Sequence, residues 1–155
     1  MTYTASVRVN VLVDLDPAEA FEVFTEEIDS WYRRGPHSFA DPARAMGMRF
    51  EPGVGGHLIE VYDEQTGQGR AVGEVTVWEE GCRLVLVDSY QTEFEVTFRA
   101  EGEGTRVELE HRGLEQLRPD LADKHGKFGG RLLLVWFVEY VKTAQRDVGT
   151  ERTVP

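Results

Sequence analysis

Glu93-Phe94-Glu95-Val96-Thr97-Phe98-Arg99, then Gly102-Glu103-Gly104, then Thr105-Arg106-Val107-Glu108-Leu109-Glu110-His111 is the stretch that decides the fold. Side chains alternate across a strand, so Phe94 and Phe98 share one face while Glu93, Glu95 and Arg99 share the other. In the second run the inward set is Val107, Leu109 and His111. A short glycine-bearing break joins antiparallel neighbours, whereas parallel strands need a long crossover. The stretch is therefore a hairpin with one apolar and one charged face. Glu93, Glu95, Glu108 and Glu110 lie on the charged face with Arg99 and Arg106, where cross-strand pairing explains them better than acid–base chemistry.

Working outward, the same alternation recurs in Val7–Val13, Met46–Glu51, Gly56–Asp63, Arg70–Glu80 and Arg83–Tyr90, separated by turn residues such as Pro52-Gly53, Thr66-Gly67 and Glu80-Gly81. This predicts an antiparallel meander. Asp16-Pro17-Ala18-Glu19 supplies an N-cap acid, a first-turn proline and a capping-box glutamate. Phe21, Phe24, Ile28 and Trp31 then recur at helical spacing until Gly35-Pro36, predicting a helix of about four turns. Residues 33–45 carry no period and read as a loop or a short second helix. The last helix is expected after Gly129-Gly130, running to about Arg146 with Leu133, Trp136, Phe137, Tyr140 and Ala144 on one face. Val135 and Val138 interrupt its polar side. One domain over residues 1–146, a fraying tail over 147–155 and an α+β class with helices covering one sheet face are the resulting expectations.

Composition narrows the function. The chain has 155 residues, a formal net charge of −11 and one cysteine. Nucleic-acid affinity rests on Lys and Arg neutralising phosphates, so this balance argues against nucleic acid and anionic membranes as partners. Cys82 is the only cysteine, so an intramolecular disulfide is excluded and a reducing cytoplasm is the expected compartment. The longest apolar run, Leu132 to Val138, falls short of the roughly 20 residues that span a bilayer, so no membrane insertion is expected. His37, His57, His111 and His125 have no metal-site spacing, so no metal is expected, and no cofactor either. Gly67-Gln68-Gly69-Arg70-Ala71-Val72-Gly73 only approximates a dinucleotide loop and lies between strands, where it reads as a hairpin. Nucleophile elbows, phosphate loops and zinc-protease motifs are absent.

What remains is an aromatic inner surface. Trp31, Phe94, Phe98, Leu133, Trp136, Phe137 and Tyr140 are expected either to fill a core or to line a cavity, with Tyr90 and His111 as convergent polar groups. The phase that holds Leu84 and Leu86 also carries Asp88 inward. His111 and Asp88 are the candidates for proton transfer, on condition that they lie within hydrogen-bond reach of each other.

Several phrases carry a family likeness. Asp16-Pro17-Ala18-Glu19-Ala20-Phe21 with Trp31, Gly55-Gly56-His57-Leu58, Gly73-Glu74-Val75, Arg83-Leu84-Val85-Leu86 and residues 92–98 through 104–114 resemble the SRPBCC or START-like superfamily, in the branch of activator of heat-shock-protein ATPase homologues. The resemblance spans roughly residues 5 to 146. It implies the helix-grip fold, a curved seven-stranded antiparallel sheet wrapped around the C-terminal helix, with a cavity between them. Two departures touch that cavity: Phe128-Gly129-Gly130 stands where the family often has Gly-Trp, and Asp88 stands where it often has an inward tryptophan. The implied function is binding of a small apolar, aromatic or lipid-like ligand. The alternatives are a polyketide cyclase- or hydratase-like enzyme using His111 or Asp88, and a stress-response or chaperone-associated interaction domain. The outer side of the last helix is the expected surface of a homodimer.

Overall fold

The structure, a computed structural model, describes residues 6–35 and 38–143. Strands β1 (Val7–Val13), β2 (Gly47–Phe50), β3 (His57–Val61), β4 (Gly69–Glu79), β5 (Arg83–Asp88), β6 (Glu93–Glu101) and β7 (Gly104–Arg112) form one seven-stranded sheet. Its order is β1-β7-β6-β5-β4-β3-β2, antiparallel throughout, so the meander closes by laying β1 against β7. The expected hairpin is present with Phe94 opposite His111 and Phe98 opposite Val107. Register shifts at Leu58/Ile59 and Val75/Val77 are bulges, which bend the sheet into a curl. The Gly67-to-Gly73 glycines make the β3–β4 turn and the strand after it, with Gly67 at φ 73°.

Helix α1 (Pro17–Glu26) starts as its sequence requires: Asp16 accepts a hydrogen bond from the Glu19 amide at 2.8 Å, with Pro17 in the first turn. The expected four-turn helix is instead broken at Glu27 (φ −100°, ψ 19°), and α2 (Ile28–Trp31) follows as a separate turn. The break lets the Trp31 indole N–H reach back to the Val23 carbonyl at 3.0 Å, which satisfies a donor that burial would otherwise strand. Among the described residues, 38–45 form turns and no helix.

The last helix departs most from expectation. α3 (Pro119–Gly130) begins at a proline ten residues before the glycine pair, continues as the wider π-helical segment Arg131–Phe137, and runs on to residue 143. Gly129 belongs inside this helix because a Cβ there would lie 2.9 Å from Leu109 Cδ2. The glycine marks close packing on β7 and not a helix start. The expected helix end at Arg146, with Ala144, and the tail 147–155 fall outside the described residues.

Packing divides the concave face into two halves. At one end α1 seals the sheet: Phe21 and Phe24 meet Phe98 at 5.2 and 5.9 Å, and Phe24 meets Trp31 and Phe137 at 5.1 and 5.4 Å. These edge-on and tilted rings fill that half completely enough that Leu84, Val107, Leu133 and Phe137 are 0% exposed. The other half, at the β5–β6 turn, is not filled.

The convex face carries the glutamates. Glu95 stands directly opposite Glu110, a repulsive pair by itself, and Arg112 bridges them at 2.7 and 2.6 Å while also holding Glu93. Arg83 adds a second cation to Glu95, and Arg8 another to Glu110. Hydrogen bonds from Arg83 and then Arg112 hold the Glu95 carboxyl below the usual range. Leu134 and Val135 are exposed on the outer side of the last helix, and Val138 is half-buried. No helix among the described residues is long and apolar enough to cross a membrane.

Candidate functional site

The unfilled half of the concave face is a cavity of about 510 Å³ between the sheet and α3. Its floor is buried and apolar: Trp31, Met48, Leu86, Val96, Leu109 and Leu132. Phe50, Leu58, Val72, Phe94 and Phe128 form the half-buried wall. The mouth lies where β4 begins and β5 ends, with Ala40, Arg70, Ser89 and Tyr90 exposed around it and Asp88 and His125 beside them. A space of this size is in the range of small-molecule sites, and so is its composition of apolar walls with few polar groups.

The sequence-expected residues divide by depth. Trp31, Tyr90, Phe94 and Asp88 line the cavity. Phe98, Leu133 and Phe137 do not; they belong to the half sealed by α1. Trp136 stands behind the wall against Tyr32 and Phe128, at 5.4 and 5.8 Å. Tyr140 is turned away, its hydroxyl donating to Glu27 at 2.5 Å. Strand parity gives the face correctly but not the position along it, and α1 decides which part of that face stays open. His125 and Phe128 precede the expected helix start after Gly130, and Leu132 lies inside the expected helix but off the face assigned to the core. Their spacing of three and four residues, following Pro119, is the signal that would have found them.

His111 is buried behind Phe94, not in the cavity. The two rings stack at 3.8 Å and 14°, and His111 Nε2 lies 2.8 Å from Thr92 Oγ1. Burial pushes its pKa down to about 4; the pull of Asp88 towards protonation is outweighed. Asp88 is occupied elsewhere, its Oδ1 accepting from the Tyr90 and Thr92 amides at 3.0 and 2.9 Å. This turn also holds Gln91 at φ 65°. The expected His111–Asp88 dyad is therefore replaced by an indirect link: Asp88 fixes the Thr92 backbone, and the Thr92 side chain meets His111. The Asp88 carboxyl is satisfied on its own turn and leaves space in front of it.

A second polar group, Glu60, faces the cavity from the opposite side. It is 1% exposed, and its oxygens accept from the Ala40 amide at 2.6 Å, the Asp41 amide at 2.9 Å and the Tyr62 hydroxyl at 2.6 Å. Tyr32 donates to the Ser38 carbonyl, and Arg34 to the carbonyls of Pro42 and Ala45. These bonds strap residues 38–45 across the cavity edge. Burial first, and then the Glu60 charge, push the Tyr32 hydroxyl well above the usual tyrosine range.

No family model and no curated protein matches the sequence. Solved structures do. An AHSA1-like protein from Aeromonas hydrophila is similar with a TM-score of 0.63 at 20% identity, covering 90% of this chain and 94% of that one. CalU16 from Micromonospora echinospora gives 0.61 at 19%, covering 88% and 73%. Txn09, an anthrahydroquino-γ-pyrone synthase, gives 0.58 at 28%, covering 86% and 95%. With its curled seven-stranded sheet, its element order and these likenesses, the chain has the helix-grip fold.

Proposed function

We propose that this chain binds a small, largely aromatic or lipid-like molecule in the cavity between the sheet and α3. The observation that carries the reading is the 510 Å³ space with a mainly apolar lining, left open beside a half of the same face that is packed shut. A domain that gained only stability from its aromatics would fill both halves. Native mass spectrometry of protein purified from its host, beside a denatured sample, tests it. A small mass lost on unfolding is expected. A clean apo mass together with no binding of an apolar naphthylamine dye overturns it.

The second reading, a cyclase-like enzyme, draws on the 28% likeness to a synthase and on the polar groups at the mouth. In this reading Asp88, Tyr90 and His125 are the groups that reach a ligand, and His111 acts only behind Phe94. A stress-response or chaperone-associated role has the name of the AHSA1-like neighbour behind it and no feature of the cavity.

A further inference from the structure

Glu60 and Arg70 are direct cross-strand partners on β3 and β4, so their side chains leave the same face of the sheet. An ion pair is the expected outcome, and none forms. Both Glu60 oxygens are taken by the Ala40 and Asp41 amides and the Tyr62 hydroxyl. Arg8, Arg83, Arg106 and Arg112 each hold a carboxylate on the convex face. Arg70 holds none among the described residues, and it stands at the mouth of the cavity.

Resting on the ligand-binding reading above, we propose that Arg70 selects the ligand class: an aromatic acid whose rings enter the cavity and whose oxyanion stays at the mouth on the guanidinium. The fork of N–H donors on arginine fits a carboxylate or sulfonate with two parallel bonds. Apolar walls on one side of the contact strengthen it relative to water. In a chain of net charge −11, a cation at the mouth is what an entering acid needs to approach. Strapping residues 38–45 to Glu60 thus has a second consequence, a cation with no carboxylate partner among the described residues at the cavity mouth.

Two dyes with the same ring body test this. 8-Anilinonaphthalene-1-sulfonate carries an oxyanion, and N-phenyl-1-naphthylamine does not. Each is titrated by fluorescence into the wild type, Arg70→Gln and Arg70→Lys. Only binding that Val72→Trp abolishes is counted, which sets aside dye on the outer surface. The wild type is expected to prefer the sulfonate. Arg70→Gln is expected to weaken the sulfonate about tenfold while leaving the neutral dye within about twofold, and Arg70→Lys to retain part of the preference. If both dyes bind and Arg70→Gln leaves their ratio unchanged, the role of Arg70 is overturned and the cavity reading stands. If neither binds, both fall.

Discussion

The His111 imidazole and the Thr92 hydroxyl meet at 2.8 Å in the core, with Asp88 holding the Thr92 amide from the other side at 2.9 Å. The arrangement ties the end of β7 to the β5–β6 turn that forms one side of the cavity mouth. It works with a neutral imidazole, because burial holds the folded pKa at about 4.

A pH dependence follows with a definite sign. The unfolded histidine titrates near 6.5, so between that pH and 4 the unfolded chain takes up a proton that the folded chain refuses. Stability from this site is complete above pH 6.5 and is lost as pH falls towards 4, by about 1–2 kcal/mol between pH 7 and pH 5. His111→Gln should flatten that part of the curve. Urea midpoints of both proteins at the two pH values check it; equal slopes would contradict the assignment. Glu95, held below the usual carboxyl range, contributes stability that is present above pH 4.5 and lost at lower pH, outside this window.

The Glu60 strap predicts a local effect. Glu60→Ala leaves the Ala40 and Asp41 amides and the Tyr62 hydroxyl without their acceptor, at a cost of about 2–4 kcal/mol. Hydrogen exchange at Ala40 and Asp41 should accelerate more than at Val96 or Leu109 in the sheet. Burial first, and then the bond to Glu60, push the Tyr62 pKa up to about 12, and the variant should lower it in a spectroscopic titration. Uniform acceleration across the sheet would mean that Glu60 serves global stability and not the strap.

Strand content and the inward faces were legible because a period of two is local: Phe94, Leu109 and His111 lie on the side that alternation assigned them. The start of the last helix had a signal in Pro119, which the glycine pair outweighed. Gly129-Gly130 reads as a breaker by propensity, and only the nearness of Leu109, a contact between residues far apart in sequence, explains why a glycine is needed within the helix. The cavity was half legible for a related reason. Trp31, Phe94 and Asp88 line it, but Phe98, on the same face as Phe94, is covered by Phe21 and Phe24 of α1. No periodicity reports where one element lands on another.

On the convex face, Arg112→Gln removes the cation that lies between Glu95 and Glu110 and frees Glu93. Partly exposed pairs are individually weak, but here the loss exposes a like-charge pair in register, so a cost of about 1–2 kcal/mol is expected. Added salt should narrow the gap to wild type, since screening weakens the repulsion that the variant uncovers. Thermal unfolding at low and high salt measures this, and a salt-independent gap would point to lost packing of the arginine stem instead.

Filling the cavity separates its role from that of the core. Val72 is half-buried on β4 and lines the wall, so a tryptophan there can extend into existing space without displacing the floor. Core overpacking typically costs 1–3 kcal/mol, but a side chain entering a void regains contacts that its lining lacks. Val72→Trp is therefore expected to change stability by less than about 1 kcal/mol, or to raise it, while abolishing dye binding. Val107→Trp, placed in the half that α1 seals, should instead unfold the protein or cost about 3 kcal/mol or more. Urea unfolding of both variants, read with fluorescence titration of the neutral naphthylamine, makes the comparison. Equal destabilisation at the two positions would mean that the space beside Phe94 is not available to a ligand.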